Sequence, residues 1–190
     1  YGVYVFTLLL VLLLLTVAGC KKDVDKSDSQ PSSTKTTTIT DMAGRTVQVP
    51  QQVNKVVGMG AGGLRFIVYL DAADKVVAVE DSEKQVLKTP YRFAHTEFAD
   101  LPSIGKAAQG DAELLMAQQP DVIIWNLASN GEVKPIEDLQ EKTGIPVVVI
   151  QSHLTLSKSK DKIFECIRLT GNVLDKKDRA EKLIKDIDTV

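Results

Sequence analysis

Cysteine and histidine are scarce in this chain of 190 residues, which holds two of each: Cys20 and Cys166, His95 and His153. Two histidines so far apart do not supply the ligand spacing of a zinc site, so no protein-held metal is expected. Charge of one sign is lacking as well. The net charge is −2 and the basic residues form no stripe, which removes the electrostatic footprint of nucleic-acid binding. There is no nucleophile elbow, Walker lysine or HExxH motif, and no pair of carboxylates in a setting that suits acid–base work. These absences argue against an enzyme and ask for no cofactor.

Long apolar runs are confined to the start. Residues Val3 to Val17 are apolar except Thr7 and Thr16, and no charge precedes Lys21. A spanning helix wants about 20 apolar residues, so the run is short for an anchor and suits the core of an export signal. It ends in Val17-Ala18-Gly19-Cys20, which resembles the lipobox of prokaryotic lipoproteins. That resemblance implies cleavage after residue 19 and a lipid on Cys20, leaving Cys166, a small core residue on a helix, without a disulfide partner. The alternative is an uncleaved N-terminal anchor; both readings give an exported, tethered body. Because the chain opens on Tyr1 with no basic segment, its start reads as truncated. Residues 20–38, polar and rich in Ser and Thr, read as a flexible spacer. The rest of the chain is long enough for one domain with a real core.

The body centres on Asn54 to Asp81, NKVVGMGAGGLRFIVYLDAADKVVAVED. It predicts a strand (Lys55 to Gly58), a glycine turn, a helix (Leu64 to Leu70) and a second strand (Val76 to Val79), a βαβ unit. Gly58-x-Gly60-x-x-Gly63, followed about 20 residues later by Glu80 and Asp81, also fits the dinucleotide fingerprint. Upstream, Ile39 to Pro50 alternates around Asp41-Met42-Ala43-Gly44 as a β-hairpin. Downstream, Ser82 to Lys106 reads as a long functional loop. Asp111 caps a helix from Ala112 to Gln118, ahead of a buried strand from Val122 to Trp125. A helix from about Val133 to Lys142, a strand from Val147 to Ile150 and a helix from about Ser157 to Leu174 come next. The last helix begins after Asp175 and sets Ala180, Leu183, Ile184 and Ile187 at i, i+3, i+4 and i+7. Apolar strands alternating with helices predict an α/β fold with a Rossmann-like parallel sheet of roughly four strands beyond the hairpin.

In order and spacing, ITDMAGRTVQVP, VNKVVGMG, LDAADKVVAVED, LPSIG, DAELLMAQQPDVIIW, LQEKTGIPVVVI and DKKDRAEKLIKDI resemble the N-terminal half of the substrate-binding proteins of ABC importers for iron siderophores, haem and cobalamin. The resemblance covers residues 39–190. It implies an N-terminal lobe over 39–156 and a helical segment over 157–190 that begins a long interlobe helix, with the second lobe absent. It further implies a monomeric receptor, lipid-anchored on the outer face of the cytoplasmic membrane or periplasmic, which carries a metal chelate to a permease and its ATPase.

Candidate ligand residues fall in three places. Gly60, Ala61 and Gly62 form a turn that in such proteins borders the interlobe cleft; the other readings are a purely structural turn and a dinucleotide site. Tyr91, Arg92 and Lys106, with His95, suit an anionic chelate by stacking and charge, or else form a solvated loop with its aromatics tucked in. Trp125 and Asn126 end a strand at its carboxyl edge, where open α/β sheets bind ligands. Glu113 either answers the helix dipole or, as the resemblance implies, docks into an arginine pocket of the permease. Two other functions compete: a membrane-tethered NAD-dependent oxidoreductase using the GMGAGG turn, and a surface protein that keeps the fold for adhesion.

Overall fold

The computed structural model describes residues 35–84, 89–152 and 156–189. The expected export signal, lipobox and Cys20 lie outside them. Strands β1 (Thr36–Thr40) and β2 (Thr46–Pro50) form the antiparallel hairpin, with Thr36 opposite Pro50. The strand begins before residue 38, where the spacer was expected to end. Threonine is polar by composition but β-branched, and it suits an exposed strand opposite a buried Val47 and Val49.

The main sheet contains β3 (Val56–Met59), β4 (Val76–Ala78), β5 (Val122–Asn126) and β6 (Val147–Ile150), all parallel, in the order β4-β3-β5-β6. Helix α1 (Gly63–Tyr69) links β3 to β4 and α5 (Lys134–Thr143) links β5 to β6. Between β4 and β5, the stretch expected to be loop, Ser82 to Lys106, takes in most of α2 (Asp81–Lys84), all of α3 (Pro90–Ala94) and a 3-10 turn at Thr96–Ala99; the expected helix, α4 (Ala112–Gln118), follows it. Helices of four or five residues complete barely one turn, too little for a 3.6-residue period to show in the sequence. Helices α6 (Leu156–Val173) and α7 (Lys177–Asp188) finish the described chain.

Every residue of β3, β5 and β6 is buried, and alternate side chains feed two cores. Val56, Ile124, Val148 and Ile150 pack with Leu64, Ile67, Ile167 and Ile184 of α1, α6 and α7. Val57, Ile123, Val147 and Val149 pack with Leu115, Ile136 and Leu139 of α4 and α5. The sheet is thus the middle of three layers, as two-sided apolar strands require. Cys166 sits in the first core, where burial pushes its thiol up to about 11.

Each outer strand meets a neighbouring segment near its carboxyl end. Beyond β4, Val79 pairs with Ser103, its N–H donating to the Pro102 carbonyl and its own carbonyl accepting from Ile104. Beyond β6, the hairpin tip supplies Met42 N–H to the Val149 carbonyl (3.1 Å), and the Asp41 carboxylate accepts from Val149 N–H (3.2 Å).

Candidate functional site

The order β4-β3-β5-β6 reverses direction between β3 and β5, because the chain steps from β3 to one neighbour and later returns to its other side. Outside the carboxyl ends of two such strands lies the crevice where open α/β sheets bind ligands. A groove of about 860 Å³ occupies that position. Its walls include Ala61 of the glycine turn, Arg65, Phe66 and Tyr69 of α1, Trp125 and Asn126 of β5, and Ser152 beyond β6. Most of that lining is apolar or aromatic, with Ile163, Ile167 and Ile187 of the last two helices on one side.

The glycine turn at the groove is held from both faces. Gly60 and Gly62 adopt left-handed φ angles of 74° and 87°, and Gly63 N–H closes the turn onto the Gly60 carbonyl. A Cβ at position 60 would lie 2.4 Å from the Asn126 carbonyl oxygen, so only glycine fits there. Gly60 N–H donates to Glu80 Oε1 (3.0 Å), which also accepts from Ala108 N–H (2.6 Å). On the other face Asn126 Nδ2 donates to the Ala61 carbonyl (2.6 Å), and Asn126 Oδ1 accepts from Ser152 N–H (2.9 Å). Glu80 is 1% exposed, and burial raises its pKa above the ordinary value of 4.5 despite the two backbone donors.

These contacts sort the candidates. Ala61, Trp125 and Asn126 border the groove, but the amide of Asn126 is already engaged at both ends by the loops it joins. Gly60 and Gly62 shape the turn beside it. Tyr91 and Arg92 are turned elsewhere: the buried Tyr91 hydroxyl donates to Glu83, and Arg92 Nε pairs with the same carboxylate at 2.5 Å. Burial and this acceptor raise the Tyr91 pKa. His95 stacks on Phe98 and meets Glu97, and Lys106 is exposed; neither borders the groove. Glu113 is exposed in the first turn of α4, where Asp111 caps the helix by accepting from the N–H groups of residues 113 and 114.

Arg65 carries no signal in the sequence and emerges only from the fold. Its guanidinium lies over Gly62, with Nη2 3.1 Å from where a Cβ there would be, and 5.4 Å from the Phe66 ring centre. The chain has five arginines. Arg45, Arg92, Arg168 and Arg179 each pair with a carboxylate, whereas Arg65 has no acid partner among the described residues. Ser152 adds a buried hydroxyl oxygen with no hydrogen-bond partner among the described residues. An unneutralised guanidinium beside aromatic walls favours an anionic group on a large, partly apolar guest.

The dinucleotide reading fares poorly against the same geometry. A pyrophosphate would approach the N–H groups of the turn, yet that of Gly60 already faces a carboxylate. The acid expected to hold a ribose, Glu80, is the group that occupies it.

Comparison with known proteins gives the same architecture. MolA, the molybdate-binding protein of Haemophilus influenzae, is 28% identical over an alignment of 163 residues, which takes in 77% of this chain and 45% of MolA. The structure of MolA bound to molybdate matches with a TM-score of 0.66 at 26% identity, over 78% of this chain and 49% of that one. The catecholate-siderophore binding protein VctP of Vibrio cholerae matches in fold, with a TM-score of 0.63 at 23% identity over 82% of this chain and 51% of VctP. The chain spans about half the length of these relatives. The model of the periplasmic binding protein family matches residues 56–189, from the first residue of β3 through the last two helices, and the chain belongs to that family.

Proposed function

We propose that the chain is the N-terminal, ligand-capturing lobe of an ABC importer's solute-binding lipoprotein, and that its ligand is an anionic metal chelate of the siderophore, haem or corrinoid kind. The observation that carries this is Arg65, a guanidinium without an acid partner among the described residues, in a groove with aromatic walls. Size supports an organic guest. A groove of about 860 Å³ is in the range of sites for drug-sized ligands, and far larger than a bare oxyanion, which fills only a few times the roughly 30 Å³ of one water. Molybdate is the second reading, favoured by the relation to MolA.

Trp125 is the chain's one tryptophan and borders the groove, so intrinsic fluorescence reports on occupancy. Titrations with a ferric catecholate, haemin, molybdate and NADH distinguish the readings. Quenching by an iron complex or haemin is expected. A response to molybdate alone moves the ligand to the second reading, and a response to NADH alone ends the transport reading.

Two partners accompany the proposal. Lipid on Cys20 would tether the protein, so Cys20→Ala should leave the membrane fraction. Glu113 would dock to the permease through a charge-assisted contact that sets orientation and association rate. Glu113→Ala should then reduce uptake and leave ligand affinity intact; equal loss of both would remove the docking role.

A further inference from the structure

Four positions that border the groove come from separate parts of the chain: Ala61 and Ser152 from the loops after β3 and β6, Asn126 from the last position of β5, and Ala108 from the 106–110 segment. Two side chains join them. Glu80 spans Gly60 N–H and Ala108 N–H, while Asn126 spans the Ala61 carbonyl and Ser152 N–H. Ala108 has φ of 54°, a left-handed conformation that is unfavourable for a residue with a Cβ. Such strain persists only where the surroundings hold it, and a 2.6 Å bond to a buried carboxylate is the hold present here.

We infer that Glu80 and Asn126 are positioning residues, two struts that keep the ligand-facing loops in their binding shape before any ligand arrives. Neither is required to touch the guest. The consequence for affinity rests on the reading of the groove as a ligand site; the rigidity does not. A preformed wall avoids the ordering cost that loose loops would impose on binding.

Amide hydrogen exchange of the full chain, without ligand, tests the struts. Hydrogen bonds to charged groups imply that Glu80→Ala speeds exchange at Gly60 and Ala108 by roughly tenfold to a hundredfold. Gly63, whose N–H bonds to the Gly60 carbonyl, should respond to a smaller degree, and amides of β6 should not. Glu80→Gln keeps the acceptor without its charge and should raise exchange at the same two amides by only a few fold, so it decides the matter should the alanine variant fail to fold. Asn126→Ala should speed exchange at Ser152. Unchanged protection at Gly60 and Ala108 in both Glu80 variants overturns the inference, as does uniform acceleration across the sheet, which would mark a purely structural role. A parallel Trp125 titration with a ferric catecholate should give weaker binding in Glu80→Ala and near-normal binding in Glu80→Gln. If the unaltered chain ignores that probe, haemin takes its place in the comparison; if it ignores both, the functional proposal fails while the exchange data still judge the struts.

Discussion

Removing the Asp41 carboxylate should cost this fold more than removing the arginine it pairs with. Asp41 is buried at the hairpin tip and accepts five N–H groups. Three are backbone donors, from Ala43 (3.0 Å), Arg45 (2.9 Å) and Val149 (3.2 Å), and two are the Nε (3.0 Å) and Nη2 (2.6 Å) of the Arg45 guanidinium. Asp41→Ala leaves all five without this acceptor and the guanidinium, whose side chain is 13% exposed, without its charge partner. Breaking a buried pair by removing one member costs about 3–5 kcal/mol. Arg45→Ala leaves the carboxylate still held by three backbone donors and loses, besides the pair, the bond from Nη2 to the Val147 carbonyl (2.6 Å). That loss should be about 2–3 kcal/mol, since three hydrogen bonds go at about 1 kcal/mol net each while the carboxylate keeps its backbone donors. At roughly 2–4 °C per kcal/mol for a chain of this size, Asp41→Ala should lower Tm by about 6–20 °C. Urea unfolding of both variants gives the comparison, and exchange at Val149 reports whether the hairpin has left the edge of β6. An Arg45→Ala loss equal to or larger than that of Asp41→Ala would refute the reasoning, because the carboxylate would then act only as one half of an ion pair.

Arg65→Ala should weaken binding of a ferric catecholate by roughly tenfold to a hundredfold, the worth of a charge-assisted bond, with Arg65→Lys intermediate; unchanged Trp125 quenching would remove Arg65 from the site. Gly60→Ala places a methyl 2.4 Å from the Asn126 carbonyl oxygen at a φ of 74°, so it should destabilise by about 2 kcal/mol or more in urea unfolding and reduce affinity for the same probe. Glu80→Gln should alter the pH dependence of stability. Because burial raises the pKa of Glu80, with Glu83 adding to the shift and Arg92 opposing it, the folded state retains the proton to higher pH than the unfolded chain does. The unaltered protein should therefore lose stability relative to Glu80→Gln as pH climbs from 4.5 through the raised value, and a relative gain over that span would contradict it.

Elements with a complete hydrophobic period were legible in the sequence. Helix α4 runs from Ala112 to Gln118 and strand β6 from Val147 to Ile150, as their capping and apolar runs dictate. Short helices such as α2 and α3 were not, since a single turn leaves no periodic trace. Which charged residues border the groove was hidden for a different reason. Arg92 reads in the sequence as a cation for a ligand and is paired with Glu83, whereas Arg65 looks like any helix-surface cation and has no acid partner among the described residues. Partners of the other arginines range from Asp41, four residues before Arg45, to Asp71, which meets Arg179 from a distant part of the sequence. Pairing at such variable distances is a property of the fold, so no spacing rule reveals which cation is left over.

The glycine turn shows the same limit. GMGAGG with an acid about 20 residues on can cradle a pyrophosphate with the acid on a ribose, or it can be a corner whose acid reaches back to the turn itself. Both uses demand glycine at position 60 and a carboxylate at position 80, so the pattern is identical. They differ in the fate of one N–H. With Gly60 N–H on Glu80, the turn presents its guest with a wall already tied down from behind, and the charge available to a ligand shifts from the backbone to Arg65, over Gly62. On the proposed function, such a site would select by the anionic group that reaches the guanidinium and by how much apolar surface fills the groove beside it. These are the demands that the proposed function places on a carrier, which must hold its cargo and release it unchanged.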